Sequence, residues 1–270
     1  NTVLLWVFTL SVCGNPNNKD IRENDIVSKT SKTVPVPQIV VGANRIEEYL
    51  PLIKGKKVGV VANQTSVIFK YEVGNTKYEN NEPQTAPHTH LVDSLLSLQI
   101  DIKKVFAPEH GFRGEADAGE HVKDGKDAET GLPLISLYGK NRKPSKEQLQ
   151  DLDVVVFDIQ DVGTRFYTYI ATLQLVMEAC AEYHISIIVL DRPNPNGSYV
   201  DGPTMEKEHT GFLGMNPIPL VYGMTIGEYA QMINGEGWLE KGTKADVKVI
   251  QMVNYTHESS IHLPIRPSPN

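Results

Sequence analysis

Short apolar segments rich in β-branched residues alternate with helix-like segments between residues 39 and 200 of this chain. The apolar segments include KVGVVAN, IKKVFAP, DVVVFDIQ and ISIIVLDRP, and their near-continuous hydrophobicity is typical of strands buried on both faces. Between them, HLVDSLLSLQI and YTYIATLQLVMEACAEY repeat apolar residues at helical spacing. Because strands that alternate with helices form parallel sheets with right-handed crossovers, we predict an α/β domain with a Rossmann-like doubly wound parallel sheet.

Three parts of the chain differ in composition. Residues 1–38 open with a short apolar run that resembles the core of an export signal, and they continue as a polar, proline-containing stretch that we interpret as a flexible tether. Residues 39–200 hold the alternating pattern. Residues 201–270 are rich in loops and contain the helix-like TIGEYAQMINGEGWL and the strand-like ADVKVIQM. We predict that they begin a second, smaller α+β domain, which the sequence truncates.

The cysteines and the charge bear on location and partners. The segment LSVC resembles a lipobox, which makes Cys13 a candidate for lipidation and membrane anchoring. We therefore expect an exported protein, either periplasmic or held at the membrane as a lipoprotein. Cys180 lies in an apolar helical pattern, and we interpret it as a buried free thiol.

A net charge of -7 argues against nucleic acid as a partner, because binding phosphates requires a basic surface.

Polar residues follow each predicted strand of the sheet. The carboxyl ends of parallel strands meet at one edge, where open α/β sheets bind ligands, so we expect these side chains to converge. They are Asn63, Glu109, His110, Arg113, Asp158, Asp161, Arg165, Asp191, Arg192 and Asn194. No glycine-rich turn follows the first strand, and neither a P-loop motif nor GxSxG occurs, which disfavours nucleotide chemistry and a serine nucleophile. We expect no cofactor.

The segment FAPEHGFRGE leaves two chemical interpretations open. Glu109 and a second carboxylate could flank a glycosidic bond as general acid and as base or nucleophile. Alternatively, Glu109, His110 and Asp158 or Asp161 could hold a divalent metal, although the paired histidines of an HExxH helix are absent from the sequence. Structural roles are open as well, since Glu109 and Arg113 could form an ion pair and either aspartate could cap a helix.

Five motifs in order resemble the exo-β-N-acetylmuramidases, a bacterial family of glycoside hydrolases long described only as a domain of unknown function. The motifs are FAPEHGFRG, FDIQDVGTRFYTY, LDRPNP with DGP after it, YGMTIGE and the terminal PSPN. The resemblance implies that N-acetylmuramic acid in β-1,4 linkage is removed from the non-reducing end of peptidoglycan fragments, so peptidoglycan-derived saccharides are the expected partners. It also implies that a barrel-like domain follows the Rossmann-like one, with the active site between them.

Together with the strand ends, the resemblance assigns candidate residues. The candidate catalytic residues are Glu109, Asp158 and Asp161. The candidate substrate-binding residues are Asn63, His110, Arg113, Arg165, Tyr167, Asp191, Arg192, Asn194, Tyr222 and Glu228, and we predict no metal site. Because N-acetylmuramic acid carries a lactyl carboxylate, one arginine should bind it bidentately, and the candidates are Arg113, Arg165 and Arg192. Two alternative functions stay open, namely a surface-anchored module that binds muropeptides without cleaving them and a metal-dependent hydrolase.

Overall fold

The computed structural model describes residues 38–70, 78–79, 82–83, 87–114 and 124–268. Within these residues, seven strands form a central sheet and four more form two small antiparallel pairs. In chain order the strands are β1 (Lys57–Ala62), β2 (Val67–Phe69), β3 (Tyr78–Glu79), β4 (Glu82–Pro83), β5 (His88–His90), β6 (Asp101–Ala107), β7 (Gly125–Lys126), β8 (Pro133–Ser136), β9 (Val154–Asp158), β10 (Ser186–Leu190) and β11 (Val247–Ile250). The helices are α1 (Ile46–Ile53), α2 (Leu91–Ser97), α3 (Lys146–Leu149), α4 (Tyr169–Glu182) and α5 (Ile226–Glu236).

The central sheet has the order β11-β10-β9-β1-β6-β8-β7, and every neighbouring pair is parallel except β7 with β8. When β1, β6, β8, β9, β10 and β11 are numbered along the chain, they follow the order 3-2-1-4-5-6 of doubly wound dinucleotide-binding folds. The chain builds outward from β1 on one side and then returns to place β9 on the other. This reversal creates a switch point between the carboxyl ends of β1 and β9, which is where such folds bind ligands. The predicted doubly wound α/β sheet is confirmed.

Alternate residues of each strand pack into two hydrophobic cores, one on each face of the sheet. In β9, Val154 and Val156 belong to the core covered by α1 and α2, whereas Val155 and Phe157 belong to the core covered by α3, α4 and α5. All four side chains are buried, so the strand is hydrophobic without alternation. Because helices cover both faces, the polar residues of the central strands β1, β9 and β10 lie at the strand ends.

Local capping signals set where two of the helices begin. Ser145 precedes α3 and forms a capping box with Gln148, in which each side chain binds the backbone N–H of the other residue. Thr225 precedes α5 and forms the same reciprocal pair with Glu228. These residues satisfy N–H groups that the first turn of each helix leaves without a helical partner.

The region after residue 200 contributes to the central sheet, because β11 pairs in parallel with β10 at the edge. Its described part forms no closed barrel, so the barrel-like second domain and its boundary stay predictions. Cys180 is a buried free thiol, which confirms that interpretation. The predicted export signal, tether and Cys13 lie outside the described residues. In the part of the chain that is described, no helix is long and apolar enough to span a membrane.

Candidate active site

Hydrogen bonds between loops tie together the carboxyl ends of β1 and β9. The Ser66 hydroxyl donates to the backbone carbonyl of Asp158, and the backbone N–H of Gln160 donates to the Thr65 hydroxyl at 2.9 Å. Asn63 is fully buried after β1, and its side-chain oxygen accepts from the backbone N–H and the hydroxyl of Thr65. Asn63 therefore shapes the β1 loop, which forms one wall of the switch point.

Glu109 is half-buried in the loop that follows β6. Its Oε2 accepts a hydrogen bond from the Thr168 hydroxyl at 2.8 Å, and the Tyr138 hydroxyl also hydrogen-bonds to it. Thr168 is the N-cap residue of α4, yet its side chain makes no hydrogen bond to the helix backbone. The hydroxyl that would ordinarily cap the helix is used to hold Glu109, which places this carboxylate at the N-terminal end of α4.

The backbone directly after Glu109 is strained. His110 has a φ of 70° and Gly111 a φ of 80°, so two successive residues are in the left-handed region. For a residue with a side chain, this conformation costs on the order of 1 kcal/mol or more, and such strain is concentrated at functional sites. His110 is buried, so the surrounding structure holds this turn in place. The strain supports a functional role for the Glu109 loop.

Asp161 is a second carboxyl group near the same strand ends, and it is buried. Its Oδ2 accepts from the Tyr222 hydroxyl and from the backbone N–H of Gly163 at 2.8 Å. Its Oδ1 is also buried and has no hydrogen-bond partner among the described residues. Burial raises the pKa of Asp161 to about 6, against the lowering effect of these hydrogen bonds. A carboxyl group with this pKa exchanges its proton near neutral pH, as acid–base catalysis requires.

Asp158 and Arg192 form a buried, bidentate ion pair. Arg192 donates from Nε to Oδ1 of Asp158 at 2.6 Å and from Nη2 to Oδ2 at 2.9 Å. The same Nη2 also donates to the backbone carbonyl of Val67 at 2.9 Å, and both side chains of the pair are almost inaccessible to water. Asp158 and Arg192, both predicted site residues, therefore connect the ends of β9 and β10 to β2.

The other two candidate arginines also have partners within the chain. Arg165 is buried, and its Nη1 donates to the backbone carbonyls of Pro203 at 2.8 Å and Ile218 at 2.5 Å. Burial lowers the pKa of Arg113, but its carboxylate partners outweigh this effect and raise it. The ion pairs of Arg113 within the described residues run to Asp93, Asp127 and Glu129. All three guanidinium groups that were predicted to bind the lactyl carboxylate are thus engaged by the protein.

Three further predicted residues support the start of α5. Asp191 accepts from a backbone N–H in the first turn of α5 at 2.8 Å and from the Thr225 hydroxyl at 3.0 Å, and burial raises its pKa to about 6. Glu228 closes the capping box of the same helix. Asn194 donates to the backbone carbonyl of Met224 at 2.8 Å. These contacts fix the loops that surround Asp161 and Tyr222.

The end of the described chain lies against the β1 loop and the start of α4. The backbone carbonyl of Pro267 accepts from the Tyr169 hydroxyl at 2.6 Å and from Nε2 of Gln64 at 2.7 Å. Tyr167 packs edge-on against the Tyr169 ring at a centroid distance of 5.0 Å and hydrogen-bonds to Ser268. Tyr167 therefore lies at the rim of the Glu109 region, where the chain passes over it.

The predicted site residues fall into two groups. The segments after β6 and β9 carry Glu109, His110, Asp161 and Tyr167, and Tyr222 contacts Asp161 from the segment before α5. The second group makes contacts within the protein that support the surrounding loops, and it consists of Asn63, Arg113, Asp158, Arg165, Asp191, Arg192, Asn194 and Glu228. Among the residues with described positions, no group of three or more His, Cys, Asp or Glu side chains is arranged to hold a metal ion.

Sequence reasoning missed two residues that contact Glu109. Thr168 lies inside the motif FDIQDVGTRFYTY before a helix, so its local signal indicates a helix cap rather than a partner of a carboxylate. Tyr138 follows β8 and carries no local signal that relates it to the β6 loop. The placement of β8 beside β6 in the sheet could have indicated this contact, since it brings the ends of the two strands together.

Comparison with known proteins gives matches over most of the chain. The family model described as "Exo-beta-N-acetylmuramidase NamZ, N-terminal" matches residues 58–270. The peptidoglycan beta-N-acetylmuramidase NamZ of Bacillus subtilis (strain 168) is 40% identical over 247 residues, which cover 89% of this chain and 55% of that protein. The chain therefore spans about half the length of this curated relative.

Two crystal structures of DUF1343 family proteins from Bacteroides fragilis NCTC 9343 are similar in fold. One is 40% identical with a TM-score of 0.71, and the match covers 86% of this chain and 57% of that chain. The other is 36% identical with a TM-score of 0.69, and the match covers 83% of this chain and 53% of that chain.

Proposed function

This chain belongs to the NamZ exo-β-N-acetylmuramidase family, and from this premise we propose that the intact protein is an exo-acting glycoside hydrolase. It releases β-1,4-linked N-acetylmuramic acid from the non-reducing end of peptidoglycan fragments. The observation that carries the proposal is the Glu109 carboxylate, which lies at the carboxyl edge of the sheet between the hydroxyls of Thr168 and Tyr138. Open α/β sheets bind ligands at this edge, and glycoside hydrolysis requires a carboxyl group there.

Two carboxyl groups divide the chemistry in this proposal. Glu109 protonates the leaving glycosidic oxygen as general acid. Asp161 is the candidate for the base or nucleophile, because it lies near the same strand ends and its Oδ1 has no hydrogen-bond partner among the described residues. The Tyr222 hydroxyl donates to one oxygen of Asp161 and so orients the group.

The test is hydrolysis of a chromogenic β-N-acetylmuramide by the intact protein, beside the matching N-acetylglucosaminide. We expect release of the chromophore from the muramide alone, and release of N-acetylmuramic acid from peptidoglycan fragments without internal cleavage. Equal cleavage of the glucosaminide, or the appearance of internal fragments only, would contradict the substrate assignment.

We also propose that the protein is exported and anchored through a lipidated Cys13. The support is the short apolar run at the start of the chain, which ends in the LSVC sequence. Cells that express the intact protein should incorporate labelled palmitate into it, and Cys13→Ser should abolish the label. Labelling that persists in this variant would remove Cys13 from the proposal.

A further inference from the structure

A cavity of about 540 Å³ lies between the loop after β8, helix α4 and the loop around residue 212. Its volume is within the range of pockets that hold small molecules. Three basic side chains line it, Lys140, Arg142 and Lys143, together with the apolar surfaces of Leu175 and Phe212. None of these residues belongs to the motifs that define the Glu109 site.

The three basic side chains of this cavity differ in their ion pairing. Lys143 forms ion pairs with Glu178, Glu182 and Glu240. Lys140 and Arg142 are exposed and have no ion-pair partner in the part of the chain that the structure describes. The Arg142 guanidinium lies over the Phe212 ring at 4.2 Å from the centroid, which restrains its orientation. The carboxylates are all gathered around Lys143, so the positive charges of Lys140 and Arg142 are the ones left without an ion pair at this cavity, among the residues that the structure describes.

Two elements connect the cavity to Glu109. The loop after β8 carries Tyr138, whose hydroxyl binds Glu109, and continues to Arg142. Helix α4 has Thr168 at its N-cap, where it binds Glu109, and Leu175 in the cavity wall. At a rise of about 1.5 Å per residue, the seven positions between Thr168 and Leu175 correspond to about 10 Å along the helix. Tyr138 also lies close enough to Arg142 for the positive charge of this arginine to act on its hydroxyl, so the cavity neighbours the Glu109 region.

We propose that this cavity binds the carboxylate of the substrate, with Arg142 as the principal contact and Lys140 as the second. The planar guanidinium matches a carboxylate through two parallel hydrogen bonds, and Phe212 offers an apolar face beside it. The inference deepens the proposed function and rests on it. It also assigns a binding partner to the substrate carboxylate, because Arg113, Arg165 and Arg192 already bind groups of the protein itself.

Two sources of carboxylate share this chemistry. Free N-acetylmuramic acid carries its lactyl carboxylate, whereas in a muropeptide the lactyl group is amide-linked and the carboxylates belong to the peptide. Calorimetric titration of the intact protein with N-acetylmuramic acid, with muramyl dipeptide and with N-acetylglucosamine separates them. We expect binding of one or both carboxylate ligands, weaker binding of N-acetylglucosamine, and affinity that falls as ionic strength rises.

Arg142→Gln should raise the Kd of the carboxylate ligand about ten-fold or more, because it removes a charge-assisted bidentate contact. Arg142→Lys, which keeps the charge and loses the planar fork, should give a smaller increase. Lys146→Gln is the matched control: it removes one positive charge from an exposed residue of the same region, outside the cavity, and should leave Kd unchanged. Melting temperatures establish that the variants fold.

The outcomes separate this inference from the proposed function. A loss with N-acetylmuramic acid identifies the lactyl carboxylate as the ligand, and a loss with muramyl dipeptide alone identifies the peptide. Unchanged affinity of Arg142→Gln for both, or no binding of either by the wild-type protein, overturns the inference even if the muramide is hydrolysed. Arg142-dependent binding without any hydrolysis of the muramide keeps the carboxylate site and contradicts the proposed hydrolase.

Discussion

Glu109 and Asp161 occupy contrasting environments at the same edge of the sheet. Glu109 is half-buried and accepts from the Thr168 hydroxyl, while Asp161 is buried and accepts from Tyr222 and a backbone N–H. Burial disfavours the charged form of Asp161 and raises its pKa to about 6. The two residues therefore make separate predictions, one for turnover and one for stability.

Glu109→Gln should lower turnover of the muramide by about 10² to 10⁴-fold, because the amide keeps the shape and loses the proton donor. Binding of N-acetylmuramic acid should be retained. Glu129→Gln is the matched control, since it makes the same change at an exposed carboxylate that pairs with Arg113. Steady-state kinetics and calorimetry on the intact protein provide both readouts. A folded Glu109→Gln variant with more than about a tenth of wild-type turnover would exclude the acid role.

Asp161 predicts a dependence of stability on pH. Burial raises its pKa from 3.8 to about 6, so between these values the folded protein binds more protons at this site than the unfolded chain does. The contribution of Asp161 to stability is therefore fully present below about pH 4 and is lost as the pH rises through about 6. Asp161→Asn should reduce this loss, by on the order of 1 to 3 kcal/mol.

The measurement is urea unfolding of both proteins at pH 4 and pH 7. Asp191→Asn is a second variant with the same expected direction, because burial raises the pKa of Asp191 to about 6 as well. If the free energy of unfolding changes equally with pH in wild type and in Asp161→Asn, the titration of Asp161 does not contribute.

At the scale of elements, helices α4 and α5 use their N-cap threonines differently. Thr225 binds the backbone of α5 and donates to Asp191, whereas Thr168 leaves the backbone of α4 and binds Glu109. An N-cap side chain stabilises a protein by about 0.5 to 2 kcal/mol, so α4 gives up a local contact where its threonine meets the candidate catalytic residue.

Alanine at Thr225 should therefore mainly lower stability, whereas alanine at Thr168 should mainly lower turnover. Thr225→Ala should lower the free energy of unfolding by about 1 to 2 kcal/mol and leave turnover in the folded protein unchanged. Thr168→Ala should cost less stability but lower turnover several-fold, because Glu109 loses a hydrogen bond that positions it. Denaturation and kinetics on both variants test this pair, and a larger loss of stability at Thr168 than at Thr225 would contradict it.

At the scale of the whole molecule, the Asp158–Arg192 pair connects the middle of the sheet to the loop after β1. It joins the ends of β9 and β10 and reaches the carbonyl of Val67 in β2. A charge buried this deeply is tolerated only while its partner is present. The pair therefore holds the strand ends that surround the candidate site in one arrangement.

Asp158→Asn should lower the free energy of unfolding by about 3 to 5 kcal/mol, because Arg192 is left as a buried charge without its partner. Asp151→Asn is the comparison, since it breaks the ion pair with Lys104 at 2.5 Å in which the carboxylate is half exposed, and it should cost at most about 1 kcal/mol. Denaturant unfolding of both variants measures the difference, and equal losses would show that burial does not set the strength of the Asp158 pair.

Patterns within short stretches predicted the layers of the fold. Near-continuous apolar segments marked β1, β6, β9 and β10, and helical spacing marked α2 and α4, because both signals depend on which residues are buried in one element. The strand ends followed from the parallel arrangement, so the region of the site could be predicted as well. The parallel arrangement by itself places the Glu109 loop at this edge.

The use of each polar side chain was decided only by the tertiary structure. Arg192 meets Asp158, and Arg165 meets the carbonyl of Ile218, across separations of 34 and 53 residues. A guanidinium group looks the same in a sequence whether it binds a buried carboxylate or a substrate, because nothing local records the partner. By itself, the sequence determined the doubly wound sheet and the edge where ligands bind. The tertiary packing decided which arginines are paired within the protein and that Arg142 lies exposed over the Phe212 ring. Burial and pairing depend on distant parts of the chain, which no local pattern records.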